Sequence, residues 1–352
     1  MLKVLLPTDD RLLTTPGIVA GYEGIGFRPT VGLRKFFDRS EDYQVIHLQW
    51  PEEFVGWFRE PCQQDFEVLK EALHYWKRRT KVALTMHNLH PHGYGASAKF
   101  DELYSLFIEC ADVIAHFSKR SRELVVEKYP VALKKKHVIH APDSCELTIN
   151  AQTQRGGSRT DFCLSQNDFV ILVLGSLRCP EELHIIRAAF DAAKVPNKRL
   201  IMAGRLGPRF SGFWNLRKRA QWKLWLSRRN ATVIDSFIPD AYLSNIVDAS
   251  DVMLVPRHEG LNSAVVFIGM AFGRMLIVPG IGSLPEHVAG SNNLVYRAHD
   301  WRELAAKIET ASRMDTNAVG KRNAQIAAGW SWQDNCRSLL DELGHAETSL
   351  GQ

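Results

Sequence analysis

Short apolar runs that alternate with amphipathic stretches constrain the fold of this chain most strongly, and residues 251–290 show the pattern clearly. An apolar run at 252–255 is followed by a polar turn, a helix that begins near Asn262 and Ser263, and a second apolar run at 275–278. Short apolar runs bounded by turn residues predict buried strands, and strands that alternate with helices predict a parallel sheet. The chain is therefore predicted to be an α/β protein.

The alternation continues through both halves of the chain. Predicted strands cover residues 3–6, 44–48, 82–86, 113–115 and 137–140, then 169–174, 200–202, 232–234, 252–255 and 275–278. Predicted helices cover residues 31–38, 66–79, 100–110 and 120–129, then 181–194, 213–229, 241–249, 263–272, 301–312 and 332–343. The polar stretch 143–167 has the composition of a linker between the two halves.

A chain of 352 residues has the length of about two domains. We predict one Rossmann-like domain at 1–150 and a second at 151–335, followed by a C-terminal helix and tail at 336–352. Two such parallel sheets in sequence predict a ligand cleft between them, at the carboxyl ends of the strands.

The composition excludes several classes of protein. No apolar run approaches the roughly 20 residues of a membrane-spanning helix, and Pro7, Asp9 and Asp10 interrupt the first apolar run too early for a signal peptide. The six cysteines include no Cys-x-x-Cys pair, which argues against a zinc site or a disulfide framework. No Walker lysine motif is present, and the glycines at 21, 24 and 26 lie too far beyond the first strand for a dinucleotide fingerprint. We expect a cytoplasmic protein.

The net charge of +5 is mild, but residues 213–229 interleave tryptophans with arginines and lysines. Basic and aromatic residues on one helix suit an anionic membrane surface, and a similar composition can bind nucleic acid. A solvated helix whose aromatic residues pack inward fits the same pattern. We expect no nucleic acid partner and leave peripheral membrane contact and the solvated helix as alternatives.

The turn after the predicted strand at 252–255 places a carboxylate, Glu259, just before a helix start. Asn262 and Ser263 are favoured cap residues, and the free N–H groups of a helix N-terminus attract phosphate. A carboxylate beside a phosphate site can hold a sugar next to its diphosphate. The alternative is one more strand–helix unit with an ordinary cap.

Histidines 87, 90 and 92 follow directly after the predicted strand at 82–86, together with Asn88. Strand ends are where α/β proteins form their sites. No carboxylate or cysteine at metal-ligand spacing accompanies these histidines, so a metal site is not expected. The stretch from Asp9 to Pro29 is predicted to be a long loop after the first strand, and such loops are either functional or surface excursions.

These segments resemble GT-B glycosyltransferases, two-domain enzymes that use nucleotide-diphospho sugars. Glu259 matches the first glutamate of a two-glutamate motif in retaining members, whereas Phe267 stands at the position of the second. The run from Thr85 to His92 and the run from His47 to Glu52 are similar to two motifs of bacterial exopolysaccharide glycosyltransferases, which include the family-four-like and xanthan mannosyltransferase types. Leu84 replaces a tryptophan of the first motif, and Gln49 replaces a histidine of the second.

The resemblance implies roles for individual residues. Gly175 and Arg178 match a motif that grips the donor diphosphate, although Glu181 stands where the family has lysine. The residues expected to bind the donor are Gly175, Arg178, Arg205, Arg257, Asn262, Ser263 and Glu286. The residues expected on the acceptor side are Trp50, Asn88, His90 and His92. The candidate catalytic residues are His87, Glu259, Asp10 and Glu23, with Asp9 as a further candidate base.

The resemblance implies transfer of a sugar from a GDP- or UDP-linked donor to a lipid-linked oligosaccharide, without a metal or other cofactor. The missing second glutamate favours an inverting reaction, in which a base must deprotonate the acceptor. A non-catalytic sugar-nucleotide or glycan-binding partner of a glycosyltransferase is the main alternative, supported by Glu181 and Phe267. An epimerase-like enzyme on the same scaffold is a further one.

Overall fold

The computed structural model describes residues 2–10, 12, 14–57, 59–91, 97–141, 155–204, 220, 222, 224–229 and 231–344. The chain forms two compact units. Unit 1 comprises Met1–Cys145 together with Trp330–Gln352, and unit 2 comprises Glu146–Gly329. The predicted division placed its boundaries at 150 and 335 and set the last helix apart, whereas the structure joins that helix to unit 1.

Unit 1 contains a parallel six-stranded sheet in the order β2-β1-β3-β4-β5-β6. Its strands are β1 (Lys3–Leu6), β2 (Arg28–Val31), β3 (Val45–Leu48), β4 (Lys81–Thr85), β5 (Val113–His116) and β6 (Lys136–Ile139). Its helices are α1 (Thr15–Glu23), α2 (Leu33–Asp38), α3 (Gln63–Lys77), α4 (Ala98–Cys110) and α5 (Lys119–Lys128), with 3-10 turns at Pro51–Val55 and Pro130–Lys134. The central strands are buried along their length, as expected for a parallel sheet covered on both faces.

Unit 2 contains a second parallel six-stranded sheet, in the order β12-β11-β10-β7-β8-β9. Its strands are β7 (Phe169–Leu174), β8 (Lys198–Ala203), β9 (Thr232–Ile234), β10 (Val252–Leu254), β11 (Met275–Pro279) and β12 (Leu294–Tyr296). Its helices are α6 (Arg155–Asp161), α7 (Pro180–Ala192), α8 (Asp240–Asp248), α9 (Ala264–Ala271), α10 (Leu284–His287), α11 (Trp301–Ala311) and α12 (Thr316–Ala327). The strand order reverses direction between β7 and β10, the point where open α/β sheets bind ligands.

The last helix, α13 (Trp332–Leu343), packs against α1 in the core of unit 1. A Cβ atom at Gly17 would lie 2.4 Å from the Trp332 ring, and one at Gly21 would lie 2.8 Å from the Trp332 backbone. These glycines therefore let two helices approach closely. The prediction of a long glycine-bearing loop from Asp9 to Pro29 is wrong, because most of this stretch is α1 and the start of β2.

The predicted linker at 143–167 also needs correction. Residues 142–154 lie outside the described residues, but α6 and the turn after it belong to unit 2. The buried Arg159 side chain anchors this segment: its Nη2 lies 2.7 Å from Asp251 Oδ2, and its Nη1 donates to the carbonyl oxygens of Ser165 and Asp168. The polar composition of this stretch predicted a linker. Helix α6 has no regularly spaced apolar residues, and a buried arginine cannot be recognised as a core position from the sequence.

Candidate functional site

The carboxyl edge of the unit 1 sheet gathers four histidines, three of them buried and one, His87, half-buried. His47 and His116 lie in β3 and β5, while His87 and His140 follow the ends of β4 and β6. The His47 ring lies 3.0 Å from the Tyr22 hydroxyl through Nδ1 and 2.7 Å from Thr85 Oγ1 through Nε2. Burial lowers the pKa of each of the four, to about 3 for the three other than His47. These imidazoles are therefore neutral near pH 7.

His87 has a defined orientation at this edge. Its Nε2 lies 2.8 Å from Gln49 Oε1, and its ring stacks on Trp50 with centroids 4.1 Å apart. The amide oxygen of Gln49 accepts, so Nε2 carries the proton and Nδ1 keeps the lone pair. Burial, with His140 as a second cause, lowers the pKa of His87 to about 3. A neutral imidazole suits a hydroxyl group better than an anion, because it carries no positive charge.

The buried carboxylate of Glu52 holds the Asn88 side chain in place. Asn88 Nδ2 lies 3.4 Å from Glu52 Oε1, and the Tyr104 hydroxyl donates to Glu52 Oε2 over 2.7 Å. Glu52 is 2% exposed, and its burial raises its pKa. The Trp50–Glu52 segment therefore supports both His87 and Asn88. The sequence predicted Trp50 and Asn88 as acceptor-side residues, but it predicted no role for Glu52.

The remaining candidate site residues of unit 1 do not all lie at the carboxyl edge of the sheet. His90 is half-buried near the same edge, and Asp9 and Asp10 follow the end of β1. Glu23 ends α1 and is exposed. The chain then enters β2, whose first residue pairs with Lys3 at the start of β1. The structure therefore puts Glu23 at the opposite edge of the sheet from His87. His92 lies outside the described residues.

In unit 2, a buried ion pair fixes the loop that follows β7. Arg257 Nη1 lies 3.1 Å from Glu182 Oε2, and both side chains are at most 5% exposed. The Arg178 backbone N–H donates to the same Glu182 oxygen over 2.8 Å, and Arg257 Nη1 donates to the Ser176 carbonyl. Glu182 therefore links the loop of Gly175 and Arg178 to the end of β10.

Close backbone contacts shape the same edge. Gly204 has φ +143°, and a Cβ atom there would lie 2.4 Å from the carbonyl of Gly175. Gly282 has φ +51°, and a Cβ atom there would lie 2.2 Å from the Gly260 carbonyl oxygen. Only glycine fits such positions, because the conformation is strained for other residues and no space is left for a side chain. The backbone is thereby brought close to the strand ends, where it can contact a ligand.

Arg178 supplies a cationic group at this edge. Burial and the neighbouring Arg257 lower the pKa of Arg178 to about 9, while Glu182 and Glu259 act in the opposite direction. The guanidinium is thus protonated at neutral pH, and Glu259 is exposed close enough to interact with it. Glu181, at the position where the family has lysine, is exposed in the first turn of α7.

The helix start at 262–263 carries polar groups that face inward. Ser263 is the N-cap of α9, and its buried Oγ has no hydrogen-bond partner among the described residues. Asn262 Oδ1 lies 3.1 Å from His287 Nε2, and burial lowers the pKa of His287 to about 4. Phe267 is buried with its ring 4.8 Å from that of His287, so this position belongs to the core. Glu286 is exposed on α10.

A cavity of 330 Å³ lies beside the ion pair. It is bounded by the first turns of α7, the end of β10 and the turn after β12, with His258 and His299 in ring contact at 4.1 Å. Its lining residues are Pro180, Glu181, Glu182, His184, Ile185, Pro256, Arg257, His258 and His299. The cavity is thus at the carboxyl edge of the sheet, near the reversal of strand order.

Other predicted features fall partly outside the described residues. Arg205 and residues 213–219, 221 and 223 of the basic and aromatic segment are among these. Within the segment, Trp225 and Leu226 are buried, and Trp225 Nε1 donates to Asp191 Oδ2 over 2.9 Å. These two side chains pack inward, as the solvated-helix alternative requires.

None of the helices in the described ranges is long and apolar enough to span a bilayer. No group of three or more histidine, cysteine, aspartate or glutamate side chains in those ranges is arranged to hold a metal ion.

Sequence reasoning missed several residues of these edges. The sequence pattern singled out Glu181 but not the adjacent Glu182. An acidic pair in the first turn of a helix that follows a glycine turn could have indicated a role for Glu182. His140 was predicted only as the last residue of a strand, and His116 follows directly after the predicted strand at 113–115. Their positions at the ends of adjacent predicted strands could have placed them beside His87.

No protein-family model matches the chain, and no curated protein matches its sequence. Its structure is similar to sucrose-phosphate synthase from Thermosynechococcus elongatus, with a TM-score of 0.75 at 15% identity over 99% of this chain and 100% of that one. It is similar to Anabaena HepE in complex with UDP and glucose, with a TM-score of 0.73 at 14% identity over 98% and 100%. The catalytic domain of Arabidopsis thaliana starch synthase IV, bound to ADP and acarbose, gives 0.67 at 10% identity over 96% and 78%.

These similarities cover nearly the whole chain and confirm the predicted GT-B fold. At identities of 15% or less they establish the fold alone. The activity has to be argued from the residues of this chain.

Proposed function

We propose that this chain is a glycosyltransferase that takes a sugar from a nucleotide-diphospho sugar. The observation that carries the proposal is the edge of unit 2, where Arg178, the Arg257–Glu182 pair and the glycine contacts surround the end of β7. A diphosphate is bound by cationic side chains and by free backbone N–H groups. The backbone must therefore be able to lie close to the diphosphate.

The ligands of similar structures support this choice of substrate. HepE was determined with UDP and with UDP-glucose, and starch synthase IV with ADP. The proposal transfers this ligand class to the present chain: a nucleoside diphosphate linked to a sugar. The choice between a UDP- and a GDP-linked donor remains part of the proposal.

In the proposed reaction, an acceptor hydroxyl oxygen bonds to the anomeric carbon while the bond from that carbon to the diphosphate breaks. Arg178 and the N-terminus of α9 stabilise the negative charge that develops on the departing diphosphate. Glu259, exposed beside Arg178, orients hydroxyl groups of the donor. No step of this scheme uses a bound metal.

The acceptor side is assigned to the carboxyl edge of unit 1. We assign His87 the task of orienting the acceptor hydroxyl rather than deprotonating it, because its low pKa makes it a weak base. Asp9 and Asp10 are the proposed proton acceptors of an inverting reaction, since both follow β1 at this edge. Glu23 is no longer proposed, because it lies at the opposite edge.

The acceptor is proposed to be a lipid-linked oligosaccharide used in polysaccharide synthesis, at an anionic membrane surface. The exposed Phe237 and Tyr242 in unit 2, with Arg228 and Arg229 in the preceding basic segment, support such contact. The measurement is co-sedimentation with vesicles that contain anionic lipid, against neutral vesicles as control. Equal sedimentation with both would contradict the membrane part of the proposal.

A non-catalytic sugar-nucleotide binder is the second candidate. It is favoured by Phe267, which fills the core where a second donor-binding glutamate would be, and by Glu181. Binding of the nucleotide without any turnover would support this candidate.

The test is calorimetric titration with UDP, GDP and ADP and with their glucose and mannose conjugates. We expect one nucleotide series to bind and Arg178→Gln to weaken binding at least about tenfold, the effect of losing one charge-assisted contact. Arg313→Gln, an exposed arginine of unit 2, is the matched control. Failure of the whole panel to bind would contradict the proposal.

Turnover separates the enzyme from the binder. With the donor found in the panel and a panel of lipid-linked and free sugars as acceptors, we expect His87→Ala to reduce transfer about tenfold, the effect of losing one hydrogen bond to the acceptor. Donor affinity should stay unchanged. His74→Ala, an exposed histidine of α3, should behave as wild type. Wild-type rates in His87→Ala would remove His87 from the site.

A further inference from the structure

Two tryptophans form an aromatic surface at the carboxyl edge of unit 1. Trp50 follows the end of β3, and Trp57 follows the 3-10 turn at Pro51–Val55. Their ring centroids lie 5.9 Å apart, and Trp50 also stacks on His87, with ring planes 20° from parallel. Both tryptophans are half-buried, so part of each ring is accessible from solvent. The proposed chemistry gives no role to Trp57.

The backbone of Trp57 has a conformation that a tryptophan rarely adopts. Its φ is +66°, and Gly56 before it has φ +85°. Glycine adopts the left-handed region without strain, whereas a bulky side chain at positive φ is a strained outlier. The Gly56 N–H donates to the Glu53 carbonyl over 3.1 Å, and the Trp57 N–H donates to the Glu52 carbonyl over 2.9 Å. This turn brings Trp57 back to the side of Trp50.

Backbone strain of this kind persists only where neighbouring contacts fix the chain, and it is concentrated at functional sites such as ligand clamps. Beyond Trp57, the guanidinium of Arg59 donates two hydrogen bonds to Asp65, over 2.6 and 2.7 Å. Glycine or asparagine at position 57 would allow the same backbone with less strain. Because the turn itself does not require a tryptophan, the strained position points to a function of the Trp57 ring.

The chemistry of this surface suits a sugar ring. An aromatic ring has an electron-rich face, and the C–H groups on one face of a pyranose are apolar and weakly positive, so the two stack. No hydrogen bond joins the indole N–H groups of Trp50 and Trp57 to the described part of the chain, which leaves them able to donate to sugar hydroxyl groups. The neighbouring Gln49 and Asn88 carry neutral amides, which match hydroxyl groups rather than phosphate.

We propose that Trp50 and Trp57 form a sugar-binding subsite of unit 1, in which the ring of Trp57 stacks on the C–H face of a pyranose. The subsite takes a ring with an unbroken C–H face, as a β-glucoside has, and holds it beside His87. That this sugar belongs to the acceptor rests on the proposed function. The binding itself rests only on the aromatic surface and its backbone.

The experiment is saturation-transfer NMR on the full chain, with methyl β-glucoside as the probe and no nucleotide present. We expect stronger transfer to the axial protons on one face of the glucose ring than to those on the other, because one face lies against the indole. Sorbitol, which carries hydroxyl groups but has no ring, should show no transfer. Titration of the same signals gives the affinity for the probe.

Variants of Trp57 locate the subsite. Trp57→Leu keeps an apolar side chain but loses the aromatic face, so we expect the affinity for the probe to fall about fivefold. Trp57→Tyr keeps an aromatic face and should retain most of the affinity. Trp57→Asn relieves the strain, so it should stay close to the wild type in urea unfolding and still lose the affinity. Trp301→Leu, at a half-buried tryptophan of α11 in unit 2, is the control and should bind as the wild type does.

A wild type that shows no transfer to the probe, or transfer to all ring protons alike, would overturn the proposal. Wild-type affinity in Trp57→Leu would do the same. If Trp57→Leu does not fold, Trp57→Asn decides. An asparagine variant that unfolds much more readily than the wild type would show that the ring serves packing instead of binding.

Two further results separate this proposal from the proposed function. Arg178→Gln acts on the nucleotide in unit 2, so it should leave binding of the probe unchanged. A wild type that binds the probe but none of the nucleotides would refute the function and leave the sugar subsite standing.

In an active enzyme, Trp57→Leu should raise KM for the acceptor more than it lowers kcat, because the stacking is present before and during transfer. Transfer with an unchanged KM in this variant would refute the subsite and leave the function standing.

Discussion

The histidines at the carboxyl edge of unit 1 are neutral, whereas the corresponding edge of unit 2 carries an ion pair and a second arginine. In unit 1, His47, His87 and His116 have lowered pKa values and form hydrogen bonds with hydroxyl, amide and imidazole groups. In unit 2, a buried guanidinium and carboxylate hold the loop after β7, and a second arginine lies beside them. Two parallel six-stranded sheets therefore bury polar groups in two different ways.

The difference predicts different ligands. Neutral donors and acceptors at fixed positions suit hydroxyl groups, because they discriminate by geometry and leave no net charge unpaired. A cationic edge with close backbone suits an anion. The contrast is the physical basis for assigning the acceptor to one unit and the donor diphosphate to the other.

The largest expected effect tests the charged edge. Arg257→Met leaves the Glu182 carboxylate buried without its partner, and we expect unit 2 to lose about 3–5 kcal/mol of stability. The double variant Arg257→Met with Glu182→Leu should recover most of this loss, since no isolated charge remains. Urea unfolding measures both, and a double variant as unstable as the single one would show that the pair does not act through charge.

The second expected effect tests the backbone contact of the same edge. Gly204→Ala places a Cβ atom 2.4 Å from the Gly175 carbonyl, whereas Gly290→Ala, also at positive φ, meets nothing within 4 Å. We expect Gly290→Ala to cost about 1 kcal/mol, from backbone strain alone, and Gly204→Ala to cost about 3 kcal/mol. Thermal or urea unfolding compares them, and equal losses would mean that the close approach at Gly204 is easily relaxed.

The third expected effect tests the neutral edge of unit 1. The pKa of His140 is lowered to about 3 by burial, and both its ring nitrogens lack a hydrogen-bond partner among the described residues. A lowered histidine pKa contributes stability above the unfolded pKa of about 6.5, and this is lost as the pH falls from 6.5 towards 3. At pH 5 the loss is about 2 kcal/mol.

His140→Leu cannot be protonated, so the variant should lack this part of the acid sensitivity. Its stability relative to the wild type should rise by about 2 kcal/mol between pH 7 and pH 5. His74→Leu, at an exposed position of α3, is the control and should show no such change. A relative stability of His140→Leu that is constant with pH would argue that His140 does not bury a neutral ring.

The sequence predicted most strands within two residues because buried parallel strands are continuous apolar runs, and β1, β7 and β9 have the predicted bounds. It missed β2 and β12. The first begins with Arg-Pro and the second is only three residues long, so neither forms a clear apolar run. It missed α12 between Thr316 and Ala327 for a related reason, since polar residues dominate its exposed faces.

The site was predicted less completely than the fold. Strand-end motifs located His87, Asn88, Trp50, Gly175 and Arg178, because these residues are close in sequence to the strands that position them. The contacts between Arg257 and Glu182, or between Glu53 and Thr8, join residues 75 and 45 positions apart. Hydrophobic periodicity carries no information about such long-range pairs. Only the folded structure shows which carboxylate contacts which loop.

The smallest expected effect concerns the sugar, and it tests whether the charged edge distinguishes a sugar nucleotide from the bare nucleotide. Glu259 is exposed beside Arg178, so Glu259→Gln should change stability little. If the carboxylate orients donor hydroxyl groups, its loss should weaken binding of the sugar nucleotide about tenfold, or 1.4 kcal/mol. Affinity for the bare nucleoside diphosphate should hold or rise, because a negative charge beside the diphosphate is removed. Calorimetry on both ligands, with Glu127→Gln as control, gives the ratio. An equal loss for both ligands would place Glu259 at the nucleotide, and no loss for either would remove it from the donor site.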